Sequence, residues 1–144
     1  FSKWEEDMVD KDCIFCKIAA GEIPSETVYE DSDFRVILDL GPVEQGHMLI
    51  LPKEHYADIS KLDPKLAQKI LALGVKMGEA AERGLQATGF NIVLNTGESA
   101  GQTIFHCHTH IIPRYRKEKV LDWESKESNK EELAQIANKI RGEL

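Results

Sequence analysis

The chain has no apolar run near the roughly 20 residues that a membrane-spanning helix needs, and no leader-like apolar segment opens it. A cytosolic (cytoplasmic) location without a membrane partner is the expectation. Basic residues are in the minority: 18 Lys and Arg stand against 25 Asp and Glu, for a net charge of −7. The largest basic group is the short Arg114-Tyr115-Arg116-Lys117. A nucleic acid polymer is held by many phosphate contacts, so it is not the expected partner. A small phosphorylated ligand needs only a few local donors and stays open. Internal repeats, low-complexity stretches and a composition shift that would mark a second domain are missing as well.

What is present suits one soluble domain: 144 residues, 42% apolar and 30% charged, enough for a real core. Residues 1–12 form an acidic, weakly patterned lead-in with Trp4. Val28-Tyr29 and Phe34–Asp39 read as two strands joined by the Asp31-Ser32-Asp33 turn, and His47–Leu51 as a third strand stopped by Pro52. Asp63 and Pro64 are a good N-cap and first residue for one long helix. Leu66, Ile70, Leu73, Met77 and Ala81 supply its buried stripe, and Thr88-Gly89 its expected left-handed stop. Gly74 and Gly78 within the stripe fit a close approach to the sheet or to a second subunit. Phe90–Asn95 is a fourth strand. The charged tail, residues 115–144, carries a capping box at Asn129 and a closing helix with Leu133, Ile136, Ala137 and Ile140 on one face. This tail is expected to pack on the same domain, with Trp123 in its linker docking on the body or on a partner chain. The sum is an α+β protein with a five-stranded antiparallel sheet, one long helix and short or terminal helices.

The organising stretch is Gly101–Arg114. His106, His108 and His110 fall at i, i+2 and i+4 among apolar and β-branched residues, so the segment reads as the fifth strand. Side chains alternate across a strand, which sends three imidazoles to one face and Cys107, Thr109 and Ile111 to the other. Same-face neighbours lie roughly 6.5–7 Å apart, a spacing for donors along one anionic group and its leaving group. The loop Asn95–Gly101 leads into it, and its glycines let backbone N–H groups, Gln102 and Thr103 approach a phosphate.

Two further features stay open on the residues alone. Cys13-Ile14-Phe15-Cys16 can be a redox pair, half of a zinc site or two inert thiols. A redox pair wants a thioredoxin-like βαβ context, which the pattern does not offer; zinc wants two more ligands, for which His55 and His106 are the natural candidates. Asp39 at a strand end can accept from sugar hydroxyls or be a solvated turn carboxylate.

His106-Cys107-His108-Thr109-His110-Ile111-Ile112 resembles the signature of the histidine-triad (HIT) family, with Thr109 the one weakly apolar position. The resemblance runs from Cys13 to Arg114 and takes in Gly21-Glu22-Ile23-Pro24, Ile37-Leu38-Asp39, Gly46–Lys53, Asn95-Thr96-Gly97 and Gly101-Gln102-Thr103. It is similar to the small bacterial-type histidine-triad nucleotide-binding proteins. The resemblance implies a domain over 13–114 and a homodimer whose sheets join into ten strands. It also implies a hydrolase that binds a purine nucleotide (AMP-like) and cleaves a bond to the α-phosphorus, as in a nucleoside 5′-phosphoramidate. His108 would be the nucleophile and form a nucleotidyl-histidine. The carbonyl of His106 would fix its tautomer, His110 would serve phosphate and leaving group, and His47 would support the triad. Asn95, Gln102 and Thr103 would hold phosphate oxygens; many members have Ser where Thr103 stands, and the hydroxyl is kept. Asp39 would hold the ribose, and Ile14, Phe15, Ile18 and Leu38 the purine. A subset of the family binds structural zinc, here through Cys13, Cys16, His55 and His106; no cofactor is required for the chemistry. Alternatives are a dinucleoside polyphosphate hydrolase and a non-enzymatic, nucleotide-binding regulatory dimer.

Overall fold

The computed structural model describes residues 12–116 and 124–144. The 1–12 lead-in, apart from Asp12, and Trp123 lie outside the described residues. Five strands form one antiparallel sheet: β1 (Thr27–Glu30), β2 (Phe34–Leu38), β3 (Met48–Pro52), β4 (Gly89–Val93) and β5 (Thr109–Arg114), in the order β1-β2-β3-β5-β4. Helix α1 (Ile14–Ala19) precedes them, α2 (Pro64–Leu85) links β3 to β4, and α3 (Lys130–Arg141) closes the chain.

Strand alternation gives the sheet two differently employed faces. On one side, Phe34, Val36, Met48, Ile50, Cys107 and Ile111 pack against Ile70, Leu73, Met77 and Ala81 of α2. Helix α2 starts as its sequence dictates: the Asp63 carboxylate accepts from the N–H of Lys65 at 2.8 Å, and Pro64 takes the first position. Gly78 is needed because a Cβ there would fall 2.5 Å from the Phe90 ring, and Gly74 faces Ile92 and Ile111 of the sheet. On the other side, Phe15 and Ala19 of α1 pack on Ile37, Leu49 and Leu51, with Ile18 and Ile104 at the margin.

Three expectations need correction. The fifth strand starts at Thr109, so His106 and His108 precede it on a bent segment. The ladder between β3 and β5 covers only Met48–Ile50 against Thr109–Ile111, so nothing extends the strand backwards. Pro52 belongs to β3 rather than stopping short of it; it pairs only with β2, where a missing N–H is tolerated. Helix α2 ends through Gln86, which takes the left-handed conformation at φ 64°, while Gly89 opens β4. Helix α3 does form behind its Asn129 cap, whose side chain accepts from the N–H of Glu132, but none of its residues is buried. Its Leu133, Ile136 and Ile140 face is exposed.

Candidate active site

Backbone groups assign the protons of three histidines, and one of these in turn assigns those of His110. His106 is fully buried, and its Nε2–H donates to the carbonyl of Pro52 at 2.9 Å. That carbonyl is open because β5 has already left β3. The lone pair of His106 is therefore on Nδ1. His108 Nδ1–H donates to the carbonyl of His106 at 2.8 Å, which leaves an unprotonated Nε2. On the neighbouring strand entry, the N–H of Val43 donates to His47 Nδ1 at 3.1 Å. His47 must then carry its proton on Nε2, which donates to His110 Nδ1 at 2.9 Å. His110 in turn presents an Nε2–H. A lone pair on His108 and a donor on His110 thus stand side by side, the rings 5.1 Å apart and inclined by 70°. This is closer than the strand spacing predicts, because His108 is off the strand.

Burial favours the neutral form of His47, His106 and His110. It pushes the pKa of His110 down to about 4, aided by His108 and His47 and opposed by the Asp39 charge. Burial also lowers that of His47, against the raising effect of Asp39, and takes His106 to about 4 against the hydrogen bond to Pro52. Cys107, on the α2 side, has its thiol pushed up to about 12 by burial and is chemically inert there.

The surrounding residues divide. Asp39 accepts from the N–H of Gly41 at 2.8 Å and stands 3.7 Å from His47 Nε2, at the edge of the histidine pair. Phe15 sets its ring edge-on to His108 at 5.0 Å. Ile18 lies beside it in the same core cluster, while Ile14 and Leu38 are exposed apolar side chains. The loop after β4 turns through Gly97 (φ 90°) and Gly101 (φ 97°), with Asn95 against Gly101 and Thr103 exposed. Gln102 does not fit its expected role. It is buried; its oxygen accepts from the N–H of Gly97 at 2.9 Å, and its NH₂ donates to the carbonyls of Ala57 and Ile104. Its amide protons are used up within the protein, so it braces the loop between β4 and β5. Sequence reasoning also missed Val43 and Pro52, whose backbone groups set two tautomers. No side-chain signal could have found them.

A second cluster adjoins the first. One ligand atom each from Cys13, Cys16, His55 and His106 lies within 4.8 Å of the others. His106 Nδ1 is 3.4 Å from Cys13 Sγ and 3.3 Å from Cys16 Sγ, and Cys16 Sγ is 3.3 Å from His55 Nδ1. A tetrahedral zinc with bonds of about 2.3 Å to sulfur and about 2.0 Å to nitrogen sets its ligands about 3.6 Å apart. The donor chemistry fits as well: the single lone pair of His106 cannot satisfy two thiols, whereas a cation at the common focus takes all four donors. The His106 ring is held from behind by Pro52, as a metal-ligating imidazole requires.

A family model described as HIT domain matches residues 20–117. Adenylylsulfatase HINT3 of Arabidopsis thaliana is 37% identical over 131 residues, which are 91% of this chain and 66% of that protein. Among solved structures, SMU.412c from Streptococcus mutans UA159 is 38% identical with a TM-score of 0.86, covering 92% of this chain and 85% of that one. A Zn-bound histidine triad family protein from Mycobacterium smegmatis is 36% identical with a TM-score of 0.72, covering 89% of this chain and 97% of that one. Among the described residues no helix is long and apolar enough to cross a membrane.

Proposed function

The chain belongs to the HIT family, whose members are nucleotide-binding hydrolases and transferases, and from that premise we propose that it hydrolyses nucleotides at the α-phosphorus through a covalent nucleotidyl-histidine. The observation that carries this reading is the bond from His108 Nδ1 to the His106 carbonyl, which leaves the other nitrogen unprotonated and available as a nucleophile. In the first step a bond forms from His108 Nε2 to phosphorus as the bond to the leaving group breaks. In the second, water attacks phosphorus and the Nε2–P bond breaks. The hydroxyl of water ends on phosphorus and its hydrogen on the leaving group. His110 offers its Nε2–H to a phosphoryl oxygen or the leaving atom, where charge develops. Asn95, Thr103 and the backbone of the glycine loop surround the phosphate, with Gln102 as their brace. Asp39 receives the ribose hydroxyls, and Phe15, Ile14, Ile18 and Leu38 the purine.

Leaving groups of three kinds suit the step: the amine of a nucleoside 5′-phosphoramidate, the sulfate suggested by the name of the plant relative, and the nucleotide of a dinucleoside polyphosphate. The phosphoramidate is the favoured one. A structural zinc in the Cys13, Cys16, His55 and His106 cluster belongs to the same reading; four protein donors close its coordination and leave no position for chemistry. The reading also carries a cytosolic homodimer. Strand β4 is a free edge of the sheet. Beside it α2 exposes Leu71 and Val75, and an apolar hollow of about 340 Å³ opens between Ile70, Leu71, Ile92 and Leu94. Two such edges meeting would make a sheet of ten strands and cover the hollow. Sedimentation of the protein and of Leu71→Glu tests this: a dimer that the charge converts to monomer is expected, and a monomer at all concentrations would overturn it.

AMP release from adenosine 5′-phosphoramidate, adenylyl sulfate and diadenosine tetraphosphate, measured with wild type and His108→Ala, tests the chemistry. Turnover of the phosphoramidate that vanishes in the variant is expected. Turnover that survives the variant would overturn the covalent mechanism, and His108-independent binding without turnover would leave a regulatory nucleotide-binding dimer.

A further inference from the structure

His106 belongs to two clusters at once, and three of its atoms do three jobs. Nδ1 faces Cys13 and Cys16, Nε2–H is pinned to the Pro52 carbonyl, and the backbone carbonyl accepts from His108. The residue is fully buried, so the ring cannot turn without moving its main chain. A second link runs through α1. Cys13 is its N-cap, and its sulfur accepts from the N–H of Cys16 at 3.3 Å. Between these cysteines in sequence is Phe15, whose ring lies edge-on to His106 at 6.1 Å and to His108 at 5.0 Å. Helix α1 has six residues, far below the length at which a helix holds itself together in water. Its position is set by what it is fastened to: the burial of Phe15 and Ala19 on the sheet and the cysteines at its start.

We propose that the Cys13, Cys16, His55 and His106 cluster is a positioning device for the nucleotide site, so that metal in the cluster and nucleotide beside Phe15 and His108 stabilise each other's binding. A cation drawing the four donors together fixes α1, and with it the Phe15 wall, and fixes the peptide whose carbonyl orients His108. A nucleotide pressed against Phe15 holds α1 and thereby the two cysteines. Coupling between two bound ligands is reciprocal: whatever factor zinc adds to nucleotide affinity, nucleotide must add to zinc affinity. The inference rests on the nucleotide site proposed above, but not on His108 being a nucleophile.

The test uses the zinc-loaded full chain with AMP, which is bound but not turned over. Release of zinc to a chromogenic chelator is followed with and without saturating AMP, and the AMP dissociation constant is measured with zinc-loaded protein and with Cys13→Ser. Serine retains the helix cap while removing a metal ligand, so the variant separates capping from metal binding. Zinc release at least fivefold slower with AMP is expected, together with AMP binding at least fivefold weaker in Cys13→Ser. Phe15→Leu in the zinc-loaded protein should reduce the AMP effect on zinc release, since it cuts the link through α1. Zinc release unchanged by AMP that does bind would overturn the proposal, whatever Cys13→Ser does to folding, because that measurement is made on intact loaded protein. Failure of AMP to bind at all overturns the proposal together with the nucleotide site on which it rests. Loss of His108-dependent turnover with coupling intact would overturn only the catalytic reading.

Discussion

The two faces of the sheet are built from different interactions. Against α2, a layer of Phe34, Val36, Ile50 and Ile111 meets a helical stripe, and shape and apolar burial hold it together. Against α1, five histidines and two cysteines gather, and directional bonds to the carbonyls of Pro52 and His106 and the N–H of Val43 fix His106, His108 and His47. Packing tolerates small errors of position and answers to volume. A hydrogen-bonded tautomer is either right or wrong. The α2 face is therefore where stability should be lost on mutation, and the histidine face where chemistry should be lost.

The sharpest form of this contrast pairs His108→Ala with Ile50→Ala. Loss of the proposed nucleophile should cut kcat at least about 10³-fold, while the half-buried position leaves Tm nearly unchanged. Ile50 is fully buried between β3 and α2; its truncation should cost about 2–5 kcal/mol yet leave turnover per folded molecule at the wild-type level. Chemical denaturation and single-turnover kinetics on both variants check the pair, and a large kinetic effect in Ile50→Ala would blur the division.

Gln102 tests the boundary between the faces. Its amide ties Gly97, Ala57 and Ile104 together, so Gln102→Ala strands a buried N–H and two carbonyls. A loss of about 1–3 kcal/mol is expected, with a raised KM for nucleotide because the loop holding Asn95 and Thr103 loosens. An unchanged Tm with a pure kcat defect would return Gln102 to the phosphate-binding role that its position in sequence suggested.

Much of the architecture was legible because it is local. The Asp63-Pro64 start and the stripe of α2 follow from capping and period, and the order of apolar runs supplied five strands. Three histidines on alternate positions marked the site, and Cys13, Cys16, His55 and His106 could be named as a set although they are up to 93 residues apart. What escaped is decided by tertiary pairing. Nothing in residues 104–108 says that β3 will release β5 after Ile50, and that release frees the Pro52 carbonyl for His106. Val43 acts through its N–H alone. The exposed apolar face of α3 reads in sequence like any core-facing helix, because periodicity reports that a face wants covering and not what covers it.

Between pH 7 and pH 5 acid should act on the histidine face. The pKa of His110 is near 4 in the fold and about 6.5 in an unfolded chain. Between these values the unfolded state binds more protons, so stability is complete above about pH 6.5, falls as pH drops towards 4, and levels off below. Protonation would also place a hydrogen on Nδ1, facing the Nε2–H of His47. The ring is part-exposed, and solvent screening limits the effect to about 1 kcal/mol. Urea midpoints at pH 7 and pH 5 should show this slope, and it should be shallower in His110→Gln; an equal slope in both would remove His110 as its source.

The smallest effect is the most diagnostic, because it has the opposite sign. Thr109 lies between His108 and His110 but faces α2, is 1% exposed, and its hydroxyl has no hydrogen-bond partner among the described residues. A buried hydroxyl without a partner costs free energy that an apolar group of the same shape does not. If that face holds by packing alone, Thr109→Val keeps the β-branch, suits the strand and should stabilise the protein by a few tenths to about 1 kcal/mol. Turnover should stay unchanged, although both neighbours in sequence lie in the proposed active site. Thermal unfolding and kcat decide it. A destabilised Thr109→Val would mean that the hydroxyl is used, and that the α2 face, too, carries a directional bond.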